Sequence, residues 1–202
     1  MNSETAAPNM VMSQADDRQA LLDVVKDRGL IQFDEPRELS SGELSRDFID
    51  AKYALSRGSD LALACRVIAD SVITDGIEFD AVGGMTMGAD HFSHGIAMHL
   101  GGSVEWFVVR KAPKGRGTNQ VVEGAKLNEA SRVLLVDDIV TTGGSIVKAF
   151  DQVVATGATI VAGVTLVDRS DIAADFFASK SVPYLPVFTY RDLGIAPVGV
   201  QQ

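Results

Sequence analysis

The run Val133-Leu134-Leu135-Val136 is apolar at every position and ends in two acids, Asp137 and Asp138. Ile139-Val140-Thr141-Thr142-Gly143-Gly144-Ser145 follows at once. A strand without polar alternation needs cover on both faces, the situation of a strand inside a parallel sheet with helices on either side. Sheets of that kind bind ligands beyond the carboxyl ends of their strands. The acids and the Thr/Gly/Ser turn stand at such an end, so this segment constrains fold and function together.

The same alternation runs through much of the chain. Ser13 and Asp16 have capping-box spacing, and Ala20, Leu21, Val24 and Val25 then form one apolar face of a first helix that Gly29 stops. Residues 31–52 carry Pro36 and Ser40-Ser41-Gly42 and lack helical period, which predicts loop and short strands, a hood over about 30–55. Beyond Ser59 the pattern predicts a helix, a strand Phe79 to Val82 ended by Gly83-Gly84, and a helix from about Ala89 to Leu100. A strand Val104 to Val109, a polar stretch Lys111 to Asn128 and the strand Arg132 to Asp137 come next. The remaining elements are a helix near Ser145 to Ala155, a strand Thr159 to Asp168, a helix Ile172 to Ser179 and a strand near Tyr184 to Phe188. The expected class is α/β, a mostly parallel central sheet flanked by helices.

At 202 residues and 46% hydrophobic content the chain suffices for one substantial core, so residues 13–202 read as one domain behind a disordered lead-in, 1–12. A net charge of -9 argues against nucleic acid or an anionic membrane as partner. The only cysteine, Cys65, lies in an apolar helical run and reads as a core residue. A reducing cytoplasm fits, and neither a membrane span nor a secretion signal is expected.

Each part of the Asp137–Ser145 segment has a physical task. Hydroxyls and closely spaced N–H groups at a helix N-terminus cradle a phosphate, and glycines let the backbone approach it. The carboxylates would repel a bare phosphate, which suits them to sugar hydroxyls or a metal. Without a ligand the same residues would be a strand, an acidic turn and a helix cap. The stretch closely resembles the signature of type I phosphoribosyltransferases. That resemblance implies that Asp137 and Asp138 bind ribose hydroxyls of phosphoribosyl diphosphate, while Thr141, Thr142, Gly143, Gly144 and Ser145 hold its 5'-phosphate, with Ile139 and Val140 in the same loop. It is not a P-loop, because no lysine follows the glycines.

Four further stretches resemble the orotate phosphoribosyltransferases in particular. Arg110, Lys111, Lys114 and Arg116 place four cations in seven residues among glycines, a basic lid for an anion over about 110–127. The segment is similar to that family's catalytic loop, with Arg116 at the usual histidine, and it implies Lys114 and Lys111 as catalytic, with Asp138, and all four cations as ligands of the diphosphate. An arginine stays charged where a histidine could exchange a proton. Val82 to Asp90 resembles the diphosphate loop, implying Gly84 and Thr86 as ligands; Met87 stands where some relatives carry lysine. Leu39 to Asp50 resembles the hood over the orotate ring, implying Ser41 and Gly42, with Ser40 at the place of a lysine in some members. Arg169 is similar to the strand-end arginine that holds orotate, where a planar guanidinium suits an anionic pyrimidine; Thr141 is implied there too.

The resemblance further implies magnesium held mainly by substrate and water near Asp137 and Asp138, and a homodimer whose lids are shared. The reaction implied is displacement of diphosphate from C1 of the ribose by a ring nitrogen of orotate, giving orotidine 5'-monophosphate. Two rivals remain open: a phosphoribosyltransferase for another base, and a regulator that keeps the fold as a sensor. His91, His94 and His99 lack the partners of a zinc site. Trp106 and Phe107 read as core or interface.

Overall fold

The computed structural model describes residues 13–102, 104–112 and 121–199. Six strands form the central sheet: β3 (Ala81–Met85), β4 (Glu105–Val109), β5 (Val122–Gly124), β6 (Arg132–Val140), β7 (Thr159–Asp168) and β8 (Tyr184–Thr189). Their order is β5-β4-β3-β6-β7-β8, parallel throughout except for β5, which runs antiparallel at one edge. The expected α/β architecture is therefore present.

Period-two alternation within β6 divides the core between the two faces of the sheet. Leu134 and Val136 join Val82, Val164 and Leu166 against α1 (Gln14–Val24), α3 (Gly58–Thr74) and α4 (Asp90–Leu100). Val133 and Leu135 join Phe107 and Ile160 against α5 (Gly144–Val154) and α6 (Ile172–Ser179). Burial of a Leu or Val side chain contributes roughly 1.5–3 kcal/mol, so β6, buried on both faces, anchors the position of everything at its carboxyl end.

The capping box forms as its spacing predicts: Ser13 Oγ accepts from Asp16 N at 3.2 Å, and the Asp16 carboxylate accepts in return from Ser13 N. The helix continues through a π-helical turn, Val25–Gly29, into the hood. Here the structure is more regular than the sequence suggested. β1 (Leu30–Glu38) and β2 (Leu44–Ile49) pair antiparallel as a separate two-stranded sheet. Proline has no N–H for a ladder, and the pairing register shifts between Gln32 and Arg37, the interval that contains Pro36. A short helix, α2 (Ala51–Ala54), follows, and α7 (Tyr190–Leu193) closes β8.

Two boundaries near the carboxyl ends differ from the sequence reading. Gly83 and Gly84 lie inside β3, because a Cβ on Gly84 would collide with the Val136 carbonyl and one on Gly83 with the Phe107 carbonyl. β6 runs past the expected end at Asp137, through Asp138 to Val140, and pairs with β7 as far as Asp168. The polar stretch expected over Lys111 to Asn128 contains β5.

Candidate active site

The carboxyl ends of β3 and β6 open into two adjoining cavities that share Ser40, Asp137, Ile139 and Ser145. One, of about 240 Å³, is lined by Thr141, Thr142, Gly143, Gly144 and Ser145, with Ser41 of the hood above. Gly143 takes φ 75°, the left-handed conformation that glycine adopts without steric cost, and so turns β6 into α5. The first N–H groups of α5 thus face a concavity, with no side-chain cap among the described residues to satisfy them. That is an anion cradle.

The second cavity, of about 460 Å³, is lined by Thr86, Met87, Gly88, Lys111, Asp138 and Lys52. A turn after β3 forms its wall: Thr86 N donates to Val109 O at 2.9 Å and Thr86 Oγ1 to Asp90 Oδ2 at 2.7 Å. The Thr86–Met87 peptide is cis. Gly88 lies against both acids, and a Cβ there would strike Asp137 Oδ1 and Asp138 Oδ1.

Between the cavities stand the acids. Asp137 Oδ1 accepts from Asp138 N at 3.0 Å, Asp138 Oδ1 accepts from Ile139 N at 2.8 Å, and Asp138 Oδ2 pairs with Lys52 Nζ. Burial and the neighbouring Asp138 charge push the Asp137 carboxyl up to about 8. An anion cradle on one side, a second cavity with cations on the other, and two carboxylates between them match the chemistry of a sugar that carries phosphates at both ends.

Residues 54–175 match the family model described as the phosphoribosyl transferase domain, more than half of the chain. This chain belongs to the phosphoribosyltransferase family. Among curated phosphoribosyltransferases, the orotate phosphoribosyltransferase of Thermococcus gammatolerans is 36% identical over 182 residues, 90% of this chain and 93% of that one. That of Streptomyces avermitilis is 37% identical over 184 residues, 89% of this chain and 98% of the relative. A crystal structure of the Mycobacterium tuberculosis orotate phosphoribosyltransferase with Fe(III) dicitrate superposes with a TM-score of 0.76 at 31% identity, over 89% of this chain and 99% of that one. Another of that phosphoribosyltransferase, with 5-phospho-alpha-D-ribosyl 1-diphosphate, gives 0.72 at 30% identity over the same shares.

Not every residue expected at a phosphoribosyltransferase site lines these cavities. Gly84 is packed between strands behind the loop. Gly42, at φ 86°, forms the hood turn and borders neither cavity. Arg110 leaves the end of β4 toward Glu123, at 3.3 Å, while its neighbour Lys111 enters the second cavity. Arg169 is buried just past β7, donating to Asp47 O at 2.7 Å and Ser45 Oγ at 3.0 Å, so it ties β2 to the sheet. Its Nε, like Ser41 Oγ, is buried without a partner among the described residues. Lys114 and Arg116 lie outside the described residues.

Lys52, which lines the second cavity and pairs with Asp138, was missed by the sequence reading. Its signal was local: it follows the hood segment Leu39 to Asp50 by two residues, on a helix too short to announce itself by periodicity. His91 was noted, but not its place. Burial holds it neutral against the pull of Asp138, and its Nε2 is buried without a partner among the described residues.

Proposed function

We infer that this chain is an orotate phosphoribosyltransferase, which moves the 5-phosphoribosyl group from phosphoribosyl diphosphate to orotate and releases diphosphate, a step of pyrimidine biosynthesis. The observation that carries the reading is the acidic pair standing between two cavities, one an N–H cradle and the other holding cations. Curated relatives of nearly full length bear that name.

In this reading the α5 cradle from Thr141 to Ser145 holds the 5'-phosphate through backbone N–H and hydroxyl groups. Asp137 and Asp138 accept the ribose hydroxyls and fix C1 toward the base. Thr86 and Lys111 face the diphosphate, and Lys114 and Arg116 join them from the lid, with Arg110 set at its root. Ser41, carried by the hood turn at Gly42, Thr141 and the Arg169 guanidinium border the orotate. The unpartnered Ser41 Oγ and Arg169 Nε support that role, since a buried polar atom without a partner costs about 1–3 kcal/mol and a bound carboxylate would remove the cost. Orotate brings its own nucleophilic nitrogen, so the protein positions, excludes water and stabilises charge on the leaving group.

Among the described residues no group of three or more acidic, histidine or cysteine side chains could cage a metal. Two hard carboxylates beside an open cavity fit a magnesium ion carried in by the diphosphate and flanked by Asp137 and Asp138. When bound, magnesium supplies charge neutralisation on the leaving group. We also propose a cytoplasmic homodimer with shared lids; exposed Met98 on α4 and Trp106 on β4 give it an apolar face.

The test follows base loss with phosphoribosyl diphosphate and magnesium, using orotate, uracil, hypoxanthine and adenine in parallel. Consumption of orotate alone is expected. Preference for another base would overturn the substrate assignment, and tight phosphoribosyl diphosphate binding without turnover would make the protein a sensor.

A further inference from the structure

The charge in the second cavity does not come from the loop that walls it. Thr86, Met87 and Gly88 carry none, and Asp90 adds a negative one. Among the described residues lining the cavity, the cations are Lys111, at the root of the lid, and Lys52, from the hood.

Lys52 is delivered there by a fixed backbone. Asp50 caps α2 by accepting from Tyr53 N at 2.9 Å, and Ala51 and Ala54 are buried beneath the helix. Arg28 pins the far end, donating through Nε to Ala54 O and through NH2 to Tyr53 O, each at 3.0 Å. Only the Lys52 side chain is left to adapt, and it is half exposed to the cavity. Its partner Asp138 is buried, with Oδ1 held by Ile139 N and Oδ2 given to Lys52.

A ribose seated on Asp138 needs that second oxygen. The ribose hydroxyl takes the place of the ammonium on Oδ2, so Asp138 is not left buried without a partner when Lys52 leaves it. The nearest new anion is then the diphosphate in the same cavity.

We propose that Lys52 is a catalytic residue of the transfer, held on Asp138 in the empty site and handed to the diphosphate when ribose takes the Asp138 carboxylate. The proposal rests on the phosphoribosyl transfer inferred above. As the bond from C1 to the diphosphate oxygen breaks, its electron pair stays on that oxygen. The Lys52 ammonium lies against the growing charge without giving up its proton. Until then its pairing with Asp138 keeps the acids from repelling the incoming phosphates.

Titration calorimetry with phosphoribosyl diphosphate and magnesium, without a base, tests this on the full chain and on Lys52→Met, Lys52→Arg, Asp138→Asn and the double variant Lys52→Met/Asp138→Asn. A charge-assisted hydrogen bond of the usual strength predicts about tenfold weaker binding of phosphoribosyl diphosphate for Lys52→Met. The same loss should appear in the Asp138→Asn background, and Lys52→Arg should restore most of the affinity. Orotate turnover should fall in kcat more than the KM for orotate rises. If Lys52 only neutralises Asp138, Lys52→Met loses affinity beside Asp138 and none beside Asn; that result, or no loss in either background, overturns the proposal. Should Lys52→Met fail to fold, Lys52→Gln takes its place. Binding of phosphoribosyl diphosphate by a wild-type chain that turns over no orotate would fail the functional reading and still decide the role of Lys52.

Discussion

Asp137 is the residue whose chemistry the sequence least reveals. A carboxyl pushed up to about 8 by burial and by Asp138 keeps its proton to far higher pH than a free one. Between the ordinary carboxyl pKa of 3.8 and about 8 the folded chain holds a proton that the unfolded chain has lost, so this group's contribution to stability falls as pH rises through that window. A magnesium-bound sugar diphosphate favours the carboxylate and expels the proton. Calorimetry near pH 7 in buffers of different ionisation enthalpy should therefore show net proton release on ligand binding, with affinity rising as pH rises. Equal heats in all buffers would mean that the acidic pair is already fully ionised. The motif Asp137–Ser145 was legible because its residue types have few other uses together. Lys52 was not, since one lysine on a four-residue helix has no pattern, and only the fold brings it to Asp138.

At the scale of elements, the bidentate pair of Arg66 with Asp17, at 2.8 and 3.0 Å, fastens α3 to α1. The Arg66 guanidinium holds the buried Asp17 carboxyl below its usual range. The stabilisation is therefore present above the unfolded carboxyl pKa and is lost as pH falls through the depressed value. Arg66→Met leaves that carboxylate buried alone and should cost about 2 kcal/mol, discounted for the partial exposure of Arg66. Denaturant unfolding at pH 7 measures it, and an unchanged midpoint would show that the pair fastens nothing. The alternation of apolar strands and amphipathic helices made most elements legible. β5 was lost because three residues of edge strand give no period, and the hood strands were expected short because Pro36 argued against the nine-residue β1 that its register shift accommodates. Gly83 and Gly84 read as a strand stop, although between two strands they mark close packing.

Across the whole molecule, one sheet sets the end of β3, the end of β6 and the start of α5 around a common opening, and the hood brings Ser40, Ser41 and Lys52 over it. No helix of the described residues is long and apolar enough to cross a membrane. The parallel order β4-β3-β6-β7-β8 makes this convergence possible, because every parallel strand ends on the same side. The most direct measurement is identification of the products when the chain is incubated with phosphoribosyl diphosphate, magnesium and orotate. Orotidine 5'-monophosphate and diphosphate should appear in equal amounts as orotate is consumed. Phosphoribosyl diphosphate recovered intact, although bound, would contradict the assignment of this site to phosphoribosyl transfer.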